Sequence, residues 1–347
     1  MTIRVALVGL GVAAKSIWLP QLASHPAFTL TTVVDPDPAA RSALDSSRLT
    51  VVPGIGAVTP SEVDLAVVAA PNHLHCELAC ALLVKGIPVF VEKPVCLSTA
   101  EADRLRQAER DGETVLLGGS AARYRADIRA LYGLSGGLGR IRHIELGWVR
   151  AGGVPGGWFT RRELSGGGVL IDLGWHLLDT ASPLLGGSAI AQAAGTLSAD
   201  FLGDERRRVT WRADLGGGTL GDVEDTARGF LVTEDGVSVS LRAGWASHEP
   251  VDTTTIRVEG SGGTATLSCT FGFSTDRAGG PVLTHLRDGK SVPVTVAAEP
   301  IGAEYRRQLD LIRRQLTDPA CRGLAIEDAA WTVDAIERCY ASAAVYV

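Results

Sequence analysis

Residues 3–16 read IRVALVGLGVAAKS. A β-branched apolar run leads into Gly9-Leu10-Gly11-Val12-Ala13-Ala14, and helix-forming residues follow. A strand that ends on a glycine turn and reopens as a helix is the setting in which G-x-G-x-x-A has a physical meaning. The first glycine permits the tight turn, and the second leaves backbone open to a pyrophosphate. The small third residue lets helix and strand approach, and the helix N-terminus favours negative charge. Gly9, Gly11, Val12 and Ala13 are therefore expected to face a dinucleotide. The next strand, LTTVVD, ends on Asp35, where a carboxylate can accept hydrogen bonds from ribose hydroxyls. An acid there repels a 2′-phosphate and Asp37 adds to it, with Arg41 the only nearby arginine. NAD is expected in preference to NADP.

Working outward, DLAVVAAP precedes HLHCELACALLVKG, and IPVFVEKP precedes STAEADRLRQAERDG. Continuous apolar runs alternating with helical patterns predict a parallel sheet buried on both faces. Ser98 and Glu101 form an S-x-x-E capping box at the last of these helices, and ETVLLGG supplies a further strand. Residues 1–120 are read as a doubly wound Rossmann domain. Beyond them the pattern turns to alternation and glycine-rich turns: RIRHIELGWVR, RVTWRADL, TARGFLVTEDGVSVSLRAGW, TTIRVEGSGGTATLS and SVPVTV. Helical patterns there are confined to about residues 168–185, 303–317 and 325–345. Residues 121–347 are read as an α+β domain built on a mainly antiparallel sheet.

With 347 residues, 46% of them hydrophobic, and a net charge of −6, the chain has ample core and no general field for polyanions. Nucleic acid and membrane partners are not expected. No secretory leader or run of about 18 apolar residues is read, so a cytoplasmic protein is expected. The six cysteines make no CxxC pair, and they are read as reduced and mostly buried, with no metal site.

Two features carry chemistry. Glu92-Lys93-Pro94 follows IPVFV directly, at the carboxyl end of a strand, where open α/β sheets bind their ligands. Glu92 and Lys93 are expected beside the cofactor. Lys93 can hydrogen-bond a reacting oxygen and stabilise charge developing on it, although a strand-end lysine is also an ordinary surface feature. In SGGGVLIDLGWHLLD, residues 165–179, Asp172 and His176 stand four apart on a helical pattern, with Asp179 three further on. An acid beside an imidazole tunes it for proton transfer near neutral pH, but such pairs are also structural. Gly166, Gly167 and Gly168 remove side chains where this helix must approach another surface, read here as the nicotinamide.

Taken together, VALVGLGVAA, VVAAPNHLHCELACALLVKGIPVFVEKP, GLGRIRHIELGW, WFTRRELSGGGVLIDLGWHLLD and GDVEDTA resemble the Gfo/Idh/MocA oxidoreductases over nearly the whole chain. The resemblance implies a Rossmann domain and a second domain whose large open sheet forms an oligomer interface, so a homodimer or homotetramer is expected. It implies a site between the domains in which His176 exchanges the proton of the reacting hydroxyl. Asp172 binds a substrate hydroxyl or orients the histidine, and Lys93 assists. It implies a cis bond from Lys93 to Pro94, and it sets Pro71, Asn72 and His75 along the nicotinamide side of the cofactor. Arg123, preceded here by Ala122 where relatives often carry asparagine, falls with Trp158 and Arg161 in stretches that contact substrate.

The expected activity is NAD(P)-dependent hydride transfer to or from a secondary alcohol carbon of a sugar, amino sugar or cyclitol. Three alternatives stay open: a catalytically silent NAD(P)-binding regulator, redox-neutral NAD-dependent glycoside cleavage, and imine reduction on the same fold.

Overall fold

The computed structural model describes residues 2–44, 49–209 and 221–343. The chain divides into two compact units, Met1–Ser120 with Tyr305–Ala330, and Ala121–Glu304 with Trp331–Val347.

The first unit holds a six-stranded sheet: β1 (Ile3–Val8), β2 (Phe28–Val34), β3 (Thr50–Val52), β4 (Leu65–Val68), β5 (Val89–Val91) and β6 (Leu116–Gly118). Their order is β3-β2-β1-β4-β5-β6, with all pairs parallel. The runs LAVV in β4 and VFV in β5 are buried at every position, which is why they read as continuous rather than alternating apolar sequence. The Ser98 half of the capping box is formed: its hydroxyl accepts from Glu101 N at 3.1 Å and caps the helix Thr99–Asp111. Glu101 reaches back to Leu97 N at 2.7 Å, one residue beyond the cap.

The helix after the glycine turn begins at Val12, passes through a π segment, Ala14–Trp18, in which Leu19 N bonds Ala14 O, and continues as the α-helix Leu19–Ser24. Residues 305–330, which the sequence pattern left with the second domain, pack with this unit. The helix Ala303–Gln315 sends Leu309 and Ile312 into the core formed by Val5, Leu7, Trp18, Leu65 and Phe90.

The second unit holds β7 (Ile141–Val149), β8 (Ile190–Ser198), β9 (Thr226–Thr233), β10 (Ser238–Gly244), β11 (Thr253–Gly260), β12 (Gly263–Cys269), β13 (Val282–Arg287) and β14 (Lys290–Val294). They form one sheet in the order β14-β13-β12-β11-β7-β10-β9-β8, antiparallel except for the β7–β10 pair. Ile144, Leu146 and Trp148 of β7 are buried on one face, and the helix Trp175–Ala181 packs against that strand. The strand read over residues 208–215 lies mostly outside the described residues.

Candidate active site

In the first unit the glycine turn has a clear steric logic. Gly9 has φ +97°, and a Cβ there would lie 2.7 Å from Ala69 O, just past the end of β4. Gly11 is exposed, and its Cβ would meet only Ala69 O at 4.0 Å. The turn is thus closed behind Gly9 and open in front of Gly11, where Val12 and Ala13 begin the helix. Asp35, at the carboxyl end of β2, braces this turn: its two oxygens accept from Leu10 N at 2.7 Å and Asp37 N at 2.8 Å. Arg41 is held by backbone, donating to Asp35 O at 2.7 Å and Pro36 O at 2.9 Å. This open cradle at a helix N-terminus, with an acid at the next strand end, fits a dinucleotide.

At the end of β5, Glu92 receives Trp18 Nε1 at 2.8 Å on one oxygen and Lys93 N at 3.0 Å on the other. Burial pushes the Glu92 carboxyl above its ordinary pKa. The Lys93–Pro94 bond is cis. The backbone of Lys93 is closely packed, since a Cβ on Gly119 would lie 2.8 Å from Lys93 N. Pro71 and Asn72 begin the short turn Asn72–Leu74 after β4. His75 is fully buried, with Nδ1 2.7 Å from Pro94 O and Nε2 2.8 Å from Ala70 O, and burial lowers its pKa. Both ring nitrogens of His75 thus face backbone carbonyls, one of them that of Pro94, the residue after Lys93.

In the second unit, Leu170–Gly174 is a π-helical turn that runs into the α-helix Trp175–Ala181. From Gly167 to Ala181 every residue is buried except Asp172 and His176. One oxygen of Asp172 accepts from Trp245 Nε1 at 2.9 Å. The His176 ring lies 5.5 Å from Trp148, tilted by 54°, and the Trp148 indole N–H is buried without an acceptor among the described residues. The other residues read from sequence have protein partners of their own. Asp179 is buried and pairs with Arg123 at 2.7 Å. Arg123 also donates to Asp179 O and Ser182 Oγ, each at 2.9 Å, so it clamps the end of this helix. Trp158 packs on Phe159 with centroids 3.9 Å apart. Arg161 is exposed and pairs with Glu163, a surface contact of small energetic weight.

The three glycines have a reason within this unit. Gly166 takes the left-handed conformation that ends the short helix Arg162–Ser165. A Cβ on Gly167 would lie 2.1 Å from the Tyr340 hydroxyl, and one on Gly168 only 1.9 Å from Glu224 O. The surface they approach is therefore Glu224 and Tyr340, where the sequence reading had supposed the nicotinamide. Glu224, Tyr340 and Trp245 were not singled out from sequence, although Glu224 sits in the GDVEDTA stretch. That loop carries three acids, Asp222, Glu224 and Asp225, and the sequence does not show which of them are buried.

A family model described as an oxidoreductase family with an NAD-binding Rossmann fold matches residues 3–119, and one for the GFO/IDH/MocA C-terminal domain matches residues 129–266. The chain belongs to the Gfo/Idh/MocA oxidoreductases. Within that family it is 54% identical over 348 residues, 99% of this chain and 96% of the relative, to a protein of Amycolatopsis mediterranei named putative UDP-kanosamine synthase oxidoreductase subunit. Among solved structures it is similar in fold to GenD2 from gentamicin A biosynthesis in complex with NAD. That match has a TM-score of 0.78 and 24% identity, over 100% of this chain and 95% of that one. It is likewise similar to a 3-ketoreductase from Actinomadura kijaniata in complex with NADP and TDP-benzene, with a TM-score of 0.76 and 19% identity, over 99% and 98%. The protein is thus an NAD(P)-binding oxidoreductase of a family acting on sugar-like substrates. Among the described residues no helix is long and apolar enough to cross a membrane.

Proposed function

We propose that this oxidoreductase interconverts a secondary alcohol and a ketone on a sugar ring, and that the sugar is carried on a nucleoside diphosphate. The observation that carries the reading is the single opening in an otherwise buried helix: Asp172 and His176 alone are accessible between Gly167 and Ala181. An acid and an imidazole left open together on an otherwise buried segment suit a group that exchanges a proton with a ligand hydroxyl. The nucleotide-linked substrate rests on the UDP-kanosamine name of the relative that matches the chain over nearly its whole length. That name describes an amino sugar, and oxidising an alcohol carbon to a ketone prepares it to receive an amine. A partner that transfers the amine is consistent with the word subunit in that name.

Gly9, Gly11, Val12 and Ala13 would hold the pyrophosphate and Asp35 the ribose, with Pro71, Asn72 and Glu92 lining the remainder. The dinucleotide when bound supplies the nicotinamide carbon that takes or gives the hydride. In the oxidising direction an imidazole nitrogen of His176 removes the proton of the reacting hydroxyl. Asp172, fixed by Trp245, orients the sugar or the imidazole, and the Lys93 ammonium stabilises charge on the reacting oxygen. Trp158, Arg161 and Arg123 belong to the segments that shape the sugar pocket. NAD is favoured over NADP because Asp35 is ionisable at the ribose position and Arg41 is turned to backbone carbonyls.

The second unit also presents a sheet face suited to a second copy of this chain. Phe230, Val282 and Leu286 are exposed there, and Arg228 stands directly opposite Arg242. Facing like charges across a ladder is unfavourable; Arg242 is partly offset by Glu249 at 3.9 Å and Glu259 pairs with Arg257 at 2.9 Å, whereas Glu145 on the same face would meet Arg228 in an isologous pair.

The deciding experiment follows nicotinamide absorbance with NAD or NADP and a panel of UDP-hexoses, TDP-hexoses, free hexoses and inositols. Turnover with a nucleotide-linked hexose and NAD is the expected result. Turnover only with free sugars or inositols would overturn the substrate class. Cofactor binding with no turnover in either direction would overturn the enzymatic reading itself.

A further inference from the structure

We infer that Glu224 is a positioning residue for Asp172 and His176, its buried carboxylate fixing with Tyr340 the start of the helical segment on which both stand. The inference rests on the proposed role of that pair. The Glu224 side chain is only 3% exposed, and one of its oxygens receives three donors: Gly168 N at 3.0 Å, Leu170 N at 3.0 Å and the Tyr340 hydroxyl at 2.7 Å. Its backbone carbonyl takes Val169 N at 3.0 Å. The first backbone N–H groups of a helix have no partner within it, and here one residue satisfies three in succession, at Gly168, Val169 and Leu170. A carboxylate at that end also complements the helix dipole.

The chain on either side of Glu224 extends the hold. Asp222 accepts Arg162 N at 2.7 Å and donates its own N–H to Thr160 O at 3.0 Å, which fixes the segment carrying Trp158 and Arg161. The carbonyl of Asp225 accepts Trp245 N at 2.9 Å, and the Trp245 indole in turn holds Asp172. Asp172 is thus located from two sides, through its helix by Glu224 and through its carboxylate by Trp245. Arg162 joins the arrangement from the loop, its guanidinium 5.1 Å over the Tyr340 ring and 3.5 Å from the second Glu224 oxygen. Small displacements of a reacting group lower rate steeply, so the consequence belongs to kcat rather than to cofactor binding, which the other unit provides.

The test compares E224A, E224Q and Y340F with the wild type, all loaded with NAD. Three things are read: kcat and both KM values, the pH profile of kcat, and the His176 ring titration by NMR, assigned with H176Q. For E224A we expect kcat to fall roughly 10- to 100-fold with the NAD KM unchanged, and both the kcat pH profile and the His176 midpoint to move. E224Q, which keeps an acceptor oxygen, should lie nearer wild type, and Y340F between the two. Wild-type kcat, pH profile and His176 midpoint in E224A would overturn the inference, as would loss of thermal stability alone. If E224A does not fold, the same readings on E224Q and Y340F decide. If the wild type turns over no sugar, the proposed function fails separately, while the His176 titration still decides whether Glu224 positions that ring.

Discussion

Lys93 is one of four lysines in a chain whose 33 lysines and arginines are otherwise arginine. Its backbone is locked by Glu92, by the closeness of Gly119 and by His75 through Pro94, so its ammonium leaves a rigid base. If it stabilises charge on the reacting oxygen, K93A should lower kcat about 10²- to 10³-fold, while NAD binding, followed by tryptophan fluorescence, stays within about a factor of two. Near-wild-type turnover would remove it from the chemistry. The imidazole is separable from the lysine because histidine is the side-chain type suited to exchange a proton near neutral pH. If His176 exchanges the proton, H176Q should abolish the ionisation limb expected in the wild-type kcat pH profile, and a profile that keeps that limb would give the proton to another group. Asp35 is tested on selectivity rather than rate. Ser in its place removes the repulsion of a 2′-phosphate, so D35S should shift the kcat/KM ratio toward NADP by about tenfold or more, the equivalent of ~1.4 kcal/mol. An unchanged ratio would mean that this carboxylate serves only to brace Leu10 and Asp37.

At the scale of elements, what was legible in the sequence was what is local. The turn at Gly9, the Ser98 cap and the alternation in β7 each rest on residues a few positions apart, and each is formed. The hairpin joining β13 and β14 was equally local and was overlooked: Asp288 and Gly289, both at positive φ, make the turn, and Asp-Gly between alternating runs is a strong hairpin signal. The π turns at Ala14–Trp18 and Leu170–Gly174 were not legible, because a shift from i+4 to i+5 bonding leaves no mark in composition. The return of residues 305–330 to the first unit and the role of Glu224 were hidden for another reason: their partners lie far away in sequence, as with Gly168, 56 positions from Glu224. The three glycines illustrate the gap, since a close approach was readable but its partner was not. G168A should accordingly cost stability by about 1–3 kcal/mol, as overpacking does, because its Cβ would fall on Glu224 O. G133A is the control: it lies in the helix Ala126–Leu134 with nothing within 4 Å, where alanine is favoured over glycine. A lower Tm for G168A but not G133A is expected, and equal Tm values would show that the contact at Gly168 relaxes freely.

At the scale of the whole molecule, the eight-stranded sheet poses a question that one chain does not answer. Its inner face is covered by its own helices. Its outer face carries Phe230 at 46%, Val282 at 58% and Leu286 at 41% exposure, on strands aligned with the row Arg228, Arg242, Gly147 and Thr255. Gly147 leaves a hollow of about 290 Å³ among Glu145, Val149, Arg242 and Thr255, room for a side chain from a facing surface. A second copy turned by a two-fold axis would bring its acids to these arginines and cover the apolar residues, which is the economy of an isologous contact. F230E places a charge at that contact without touching the buried face of β9, where Ala227 and Leu231 lie. Light scattering behind size exclusion should give a dimer or larger for the wild type and a lower mass for F230E, with the Rossmann unit still binding NAD. A monomeric wild type would refute the assembly, and so would an F230E protein of undiminished mass. A variant that loses mass but keeps kcat would place all of the chemistry within one chain, whereas loss of both would mean that sheet pairing supports the Asp172 and His176 segment packed on its other side.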